Sequence, residues 1–392
     1  MTTEEKHAWC PMDPQLAGDQ RGGYDALREE TGFAHDPRMG WTAMRFDDVV
    51  EILRNPAVFS NAAAWEAIDP DLKKDERAIP LSLDPPEHTQ YRNLLKALFR
   101  PARVATFEDQ AREKASRLID ALVEAGTADL VQGLSDPYPV QSLCTFLGWQ
   151  DENWADIKRW SRELTRARAA GNREEADALF NMWRDYIRTV LEARKVEPRE
   201  DVTSWLIELG EDGTVLNDEQ IISILRLLLV AGHGTTTTAI GNMAEYLAQN
   251  PEKQQFLREN PDKLPLAIEE MLRYDAPQMA MPRRTLCPAQ VGDQHFEEGE
   301  TIWLNFLAAN RDPRAFDNPA ECNFARKPNR HIAFGAGIHQ CLGSPFGRME
   351  VRVALEELLK RTSSFRFAPG GVQTRASFPH NQPAQLDLEF VR

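Results

Sequence analysis

The chain is short of cysteine, of positive charge and of anything that reads as a linker, and each shortage removes a class of protein. Its five cysteines, Cys10, Cys144, Cys287, Cys322 and Cys341, are odd in number, scattered along 392 residues and free of a CxxC pair. A disulfide framework and a zinc ribbon are both excluded by that spacing. With 46 Lys and Arg against 61 Asp and Glu, the formal net charge is -15, so general nucleic-acid binding is excluded too. Any basic surface must be local. No proline- or serine-rich stretch and no internal repeat divides the sequence, and one domain over 1–392 is expected. The opening MTTEEKHAWC lacks both the apolar core of a signal peptide and a membrane anchor, so the expected location is cytoplasmic.

What is present is mostly helical pattern. Strand-like pieces are confined to the beginning, to 290–306 and to the tail after about residue 362. This predicts a mainly α protein with small β-sheets. In LDPPEHTQYRNLLKALFRP, Asp84 is placed to cap a helix with Pro85 at its first position. The segment 217–251 begins at an Asn or Asp cap, stops before Pro251 and is apolar nearly all round, which predicts a helix crossing the core. The stretches 61–80 and 158–185 are less regular or more highly charged and are read as lids and loops.

One cysteine stands apart. In HIAFGAGIHQCLGSPFGR, residues 331–348, Cys341 lies just ahead of a helix capped by Ser344, with Pro345 in its first turn. Free amides and the positive end of the helix dipole favour a thiolate there. Gly335, Gly337 and Gly343 permit tight turns and the close approach of a flat ligand, with Phe334 beside it. A buried structural cysteine is the plain alternative. The spacing of Phe334, Gly335, Gly337, His339, Cys341 and Gly343, however, matches FGxGxHxCxG, and the chain resembles the cytochrome P450 family of haem-thiolate monooxygenases.

That resemblance implies an α-rich prism with haem b, iron protoporphyrin IX, held between the long central helix and the helix after the cysteine loop. Cys341 is then the iron ligand, and His339 contacts a haem propionate. Glu270 and Arg273, three apart in EEMLR, alone read as a surface ion pair; by resemblance they are the family's structural ExxR element. His88 and Arg92, four apart on one helix face, can reach a common anion such as a carboxylate, and the resemblance points to the propionates. Arg284 resembles the other propionate-binding arginine, with Arg283 as the alternative.

AGHGTTTT, residues 231–238, breaks local helix preference: two glycines cost about 1 kcal/mol each against alanine, and four threonines add β-branched crowding. Threonines bonding back to carbonyls explain a kink without any chemistry. By resemblance this is the oxygen-binding groove: Thr235 steadies oxygen and its proton supply, and Ala231, Gly232 and Thr236 match as well. Gly234 departs from the pattern, since the family usually has an acid there. His233 should point elsewhere around the helix.

Leu81, Leu227, Val230, Ala231, Ala280 and Pro282 are the expected substrate pocket, small and apolar. Arg159, Arg162 and Arg166 in KRWSRELTRAR read as a solvated helix face. Arg348 and Arg352, joined by Lys96, Arg100 and Arg103, are expected to form one basic patch on the cysteine side, where the resemblance docks an acidic electron carrier. The chain ends about fifty residues after Cys341, so electrons are expected from a separate ferredoxin- or flavodoxin-type carrier with its NAD(P)H reductase. The implied activity is insertion of one oxygen atom into a small to medium apolar molecule, by hydroxylation or O-demethylation. Gly234 supports an alternative, a peroxide-driven or non-oxidative haem-thiolate enzyme; a haem sensor without catalysis would not need the threonine-rich groove.

Overall fold

A computed structural model describes residues 20–68, 77–149, 153–211, 216–375 and 382–392. Helices carry most of these residues, as the periodicity predicts. The central one runs without a break from Asp218 to Gln249, opened by a capping box in which the Asn217 side chain accepts from the Gln220 amide and the Gln220 side chain accepts from the Asn217 amide. It is long and apolar enough to span a membrane, yet 61% of its apolar window is buried inside the protein. It packs against the helices Pro137–Leu147, Arg173–Val196 and Ser344–Arg361. Residues Leu225, Leu229, Ile240 and Leu247, all fully buried, join it to the main core.

A second, smaller core forms on a five-stranded sheet ordered Phe33–Asp36, Gly40–Ala43, Thr301–Asn305, Ala280–Thr285 and Phe59–Ser60. Among the described strands, only the Gly40–Ala43 and Thr301–Asn305 pair is parallel. The tail strand Pro383–Val391 pairs with Ser364–Phe367, Gln373–Arg375 and Thr127–Asp129. Strands at 59–60, 127–129 and 280–285 therefore lie outside the three regions expected for them.

The charged segment read as lids and loops is instead two helices, Trp154–Ala169 and Arg173–Val196. Ile157, Leu164, Ala167, Phe180, Trp183, Ile187 and Leu191 form the buried stripe that the charges obscure. Of the 61–80 stretch, Ala62–Ile68 is helical, and residues 69–76 lie outside the described ones. The helix expected from Pro85 starts at Glu87. Asp84 does not cap it with its side chain; that carboxylate accepts from Ser60 Oγ at 2.5 Å and the Asn61 amide at 3.1 Å, while its carbonyl accepts from the His88 amide.

Candidate haem-thiolate site

The cysteine loop is drawn tight by two backbone bonds of 2.8 Å, Gly335 N–H to the Ile332 carbonyl and Cys341 N–H to the Phe334 carbonyl. Gly335 and Gly337 take φ of +68° and +70°, and a β-carbon on Gly337 would fall 2.3 Å from the Leu53 carbonyl oxygen, so that turn admits no side chain. The following helix begins at Ser344 with Gly343 as its cap, one residue earlier than a Ser344 cap would place it. The amides of Gly343 and Ser344 donate to the Cys341 sulfur. Burial raises that thiol above its usual 9.0, opposed by the Gly343 amide, Arg92, Arg348 and the Ser344 amide. The side chain is closely surrounded and still reached by solvent. A cation that binds thiolates displaces its proton, and the two amides are already set to receive the anion.

Beside the loop lies a corner of bases. The His88 and His339 rings are 4.2 Å apart, and both ring nitrogens of His88 and Nε2 of His339 are buried without a hydrogen-bond partner. Burial, then Arg92, hold His88 down to about 4, and burial, then Arg283, hold His339 down to about 2. Arg92 donates to the Gln340 carbonyl. Arg283 is 4% exposed, and burial lowers it to about 10. Buried polar atoms without partners are costly, so this corner is built for an anionic group that can accept from several donors. The carboxylates of a haem fit that description.

Arg284, expected in that role, does not take it. Strand alternation turns it to the other face, half-buried, with Nη2 3.4 Å from where a β-carbon on Gly299 would lie. The inward arginine is Arg283.

The long helix carries a break in its burial. Val230, 44% exposed, and Ala231 are open, and Leu227, Gly234 and Thr235 are half-buried, between the buried runs 221–226 and 236–244. Thr235, Thr236 and Thr238 bond back to the carbonyls of Ala231, Gly232 and Gly234 at 3.2, 3.1 and 3.0 Å. Gly234 has no atom within 4 Å of a built β-carbon, so open space adjoins it. Gly232, expected among the cofactor contacts, is half-buried, and a β-carbon there would lie 2.9 Å from the Leu143 side chain. His233 is buried, with Nδ1 2.6 Å from the Leu229 carbonyl. Ala280 and Pro282 are buried in the strand of Arg283, and Leu81 is half-buried.

Two functional groups escaped the sequence reading. Glu350, on the helix after the cysteine, is wholly buried, its Oε2 3.5 Å from Thr236 Oγ and its Oε1 without a partner. Burial raises its pKa well above the usual range, against bonds from Ser142 and Thr236. It sits among the buried residues Phe346, Met349, Val353 and Ala354, and a carboxylate on an apolar helix face was the available signal. The other is Arg326. Arg273 bonds Glu270 through two contacts of 2.9 Å and reaches the carbonyls of Asn310, Pro319 and Glu321. Arg326 Nε takes the other side of the same carboxylate, 3.0 Å from both oxygens. The ExxR pair is thus a buried triad that ties the Glu270 helix to the 310–326 segment.

Two of the five members of the basic patch expected on the cysteine side are neutralised by carboxylates. Arg348 pairs with Glu269 at 2.7 Å, and Arg352 pairs with Glu108 at 2.6 Å and Glu356 at 2.9 Å. Burial of Glu269 is outweighed by Arg348 and His331, which hold it at about 2. Arg100 and Arg103 have no ion-pair partner among the described residues, and Lys96 bonds Asn93. On the remote helix, Arg159, Arg162 and Arg166 pair with Asp156, Asp136 and Glu175, which is the solvated face expected.

Comparison with known proteins agrees with this geometry. The family model described as Cytochrome P450 matches residues 139–384, and the chain belongs to that family. Cytochrome P450 107B1 of Saccharopolyspora erythraea is 31% identical over 94% of each chain. The nocardicin C N-oxygenase of Nocardia uniformis is 32% identical over the full length of both. Among solved structures, CalO2 superposes with a TM-score of 0.91 at 25% identity, covering 98% of this chain and 99% of that one. CYP109E1 of Bacillus megaterium, solved with testosterone, gives 0.89 at 27%, covering 96% and 99%. With relatives named as an N-oxygenase and an epoxidase, this is an oxygen-inserting oxidoreductase.

Proposed function

We propose that the chain, as one catalytic domain, is a cytoplasmic monooxygenase that holds haem b through Cys341 and inserts one oxygen atom into a small to medium apolar molecule. The observation that carries this reading is a single juxtaposition. A sulfur receiving two amides lies next to His88, His339, Arg92 and Arg283, none of which bonds a carboxylate among the described residues. Haem, when bound, supplies the activation of dioxygen and the one-electron steps.

The residues do the rest. Cys341 holds the metal from the loop side, and the Gly343 and Ser344 amides temper the charge on its sulfur. Arg283, Arg92, His88 and His339 receive the propionates. Val230, Ala231 and Leu227 on the long helix, with Ala280, Pro282 and Leu81, give an apolar wall that positions substrate and excludes water. Thr235 presents its hydroxyl at the open face.

Proton supply separates the two enzyme readings. Gly234 offers no acid, which favours the peroxide-driven alternative. Glu350 favours dioxygen chemistry: burial makes its carboxyl, beside Thr236 Oγ and one residue from Thr235, keep its proton to higher pH than an ordinary carboxyl. Electrons then come from a separate ferredoxin- or flavodoxin-type carrier and its NAD(P)H reductase.

The reduced protein with carbon monoxide should give the absorption of thiolate ligation, and Cys341→Ala should lose it. Turnover with a reductase system against hydrogen peroxide alone decides between the readings; activity with peroxide only would overturn the dioxygen route. Gly234→Glu has room for its side chain, and unchanged or better coupling of reductant to product is expected from it. A screen of apolar compounds for shifts of the haem spectrum identifies the substrate class.

A further inference from the structure

The stretch 77–83 is tied at two points. Ser223 on the long helix donates to the Arg77 carbonyl at 2.5 Å and accepts from the Ile79 amide at 3.1 Å. Further along, Asn61 donates through Nδ2 to the Leu81 carbonyl. Asn61 is 1% exposed and directly follows the strand Phe59–Ser60, which pairs with Arg284 and Thr285. Its other side-chain end, Oδ1, accepts from Arg283 Nη1 at 2.6 Å. The backbone is fixed as well: its amide donates to Asp84 and its carbonyl accepts from the Trp65 amide. One buried amide therefore grips the Leu81 carbonyl with its donor end and the Arg283 guanidinium with its acceptor end.

We propose that Asn61 is a positioning residue that couples the 77–83 stretch to the corner of Arg283, His88 and His339. A molecule resting on Leu81 would thereby change how firmly Arg283 holds its anion. This rests on the haem reading above. The choice of an amide is the physical point. A carboxylate at position 61 would cancel the charge of Arg283, whereas an amide orients the guanidinium and leaves its charge free for the ligand. When Leu81 moves, Nδ2 loses its acceptor inside the protein, and the amide must turn to find another, taking Oδ1 away from Arg283. The same junction steadies His88, because Asp84, bonded to Ser60 and to the Asn61 amide, accepts the His88 amide at its carbonyl.

The test uses the haem-loaded full chain with two readouts, hydrogen exchange of the 77–83 amides and the rate of haem transfer to excess apomyoglobin. Asn61→Ala should speed both by about tenfold, the equivalent of one hydrogen bond to a charged group. Arg283→Gln should also speed exchange at 77–83, although Arg283 bonds none of those residues. In the double variant, haem transfer should be no faster than with Arg283→Gln alone. Asn61→Asp guards against a folding defect: it keeps an acceptor for Arg283 but sets an oxygen against the Leu81 carbonyl, and both rates should rise. The coupling is overturned if Arg283→Gln leaves the 77–83 exchange unchanged, if the two single effects on haem transfer multiply, or if Asn61→Asp moves exchange alone. A wild-type chain that takes up no haem sinks the haem reading instead, and the exchange arm still judges the coupling.

Discussion

Replacing Glu350 by Gln should make the protein more stable as pH rises, by an amount that linkage fixes. The carboxyl is wholly buried, and burial raises its pKa well above the usual 4.5 despite bonds from Ser142 and Thr236. The folded chain keeps that proton to higher pH than the unfolded chain, which releases it once pH passes 4.5. Rising pH therefore favours unfolding. The contribution of this group is fully present below 4.5 and is lost as pH climbs toward the raised folded value. One proton corresponds to about 1.4 kcal/mol per pH unit. Gln keeps the shape, an acceptor and a donor for Ser142 and Thr236, and does not titrate, so the difference between variant and wild type isolates the effect. From pH 5 to pH 7 the variant should gain stability on the wild type, at up to about 1.4 kcal/mol per pH unit while the folded carboxyl keeps its proton. Even one such unit is a sizeable share of the roughly 5–15 kcal/mol of a folded domain. Urea unfolding at pH 5, 6 and 7, followed by far-UV circular dichroism, measures it. A difference flat across that range would mean that Glu350 is ionised in the fold, and its role as a proton holder beside Thr236 would fall with it.

Three further outcomes follow from the site. Arg283→Leu should weaken haem retention by about tenfold or more, as expected for losing a hydrogen-bonded charge, whereas Arg284→Leu should leave the transfer rate to apomyoglobin nearly unchanged. Glu270→Gln strands two buried guanidiniums on a neutral amide and should cost about 3–5 kcal/mol in chemical denaturation. Arg326→Met leaves the bidentate Glu270–Arg273 pair intact and should cost clearly less; the reverse order refutes the shared-carboxylate account. Arg100→Ala and Arg103→Ala should slow reduction by an acidic carrier, read by stopped flow, more than Arg352→Ala, whose charge is already held by Glu108 and Glu356.

What the sequence made legible were relationships carried by short spacing. The run from Phe334 to Gly343 announces the thiolate loop because turn, ligand and helix cap all lie within one decapeptide. Glu270 and Arg273 are one helical turn apart, and His88 and Arg92 share a face for the same reason. What stayed hidden depends on partners far along the chain: Glu350 meets Thr236 across 114 positions and Asn61 meets Arg283 across 222. Arg283 and Arg284 show a subtler limit. Strand alternation says that neighbours face opposite ways, but the phase comes from register, here Ser60 against Arg284 and Arg284 against Thr301. The helices at 154–196 were masked by charge, because a stripe of buried apolar residues every three or four positions is diluted when the rest of the surface is Arg and Glu.

The distribution of carboxylates is the strongest physical argument for an anionic ligand in the His88 corner. With 61 acidic residues against 46 basic ones, the chain has carboxylates in excess, and it uses them freely elsewhere. Arg112 alone contacts Glu108, Glu356 and Glu357, and Glu270 serves two arginines. Yet neither Arg92 nor Arg283 bonds a carboxylate among the described residues: Arg92 bonds the Gln340 carbonyl, and Arg283 bonds Asn61 and the Pro282 carbonyl. Asp84, which among the described residues is the acid that acts on both His88 and Arg283, is turned away to Ser60 and the Asn61 amide. Setting the buried Arg283 and the half-buried Arg92 beside two imidazoles with buried ring nitrogens, without a bonded acid, is unfavourable for the protein alone. In a chain so rich in acids, that arrangement makes physical sense when the missing negative charge arrives with the ligand.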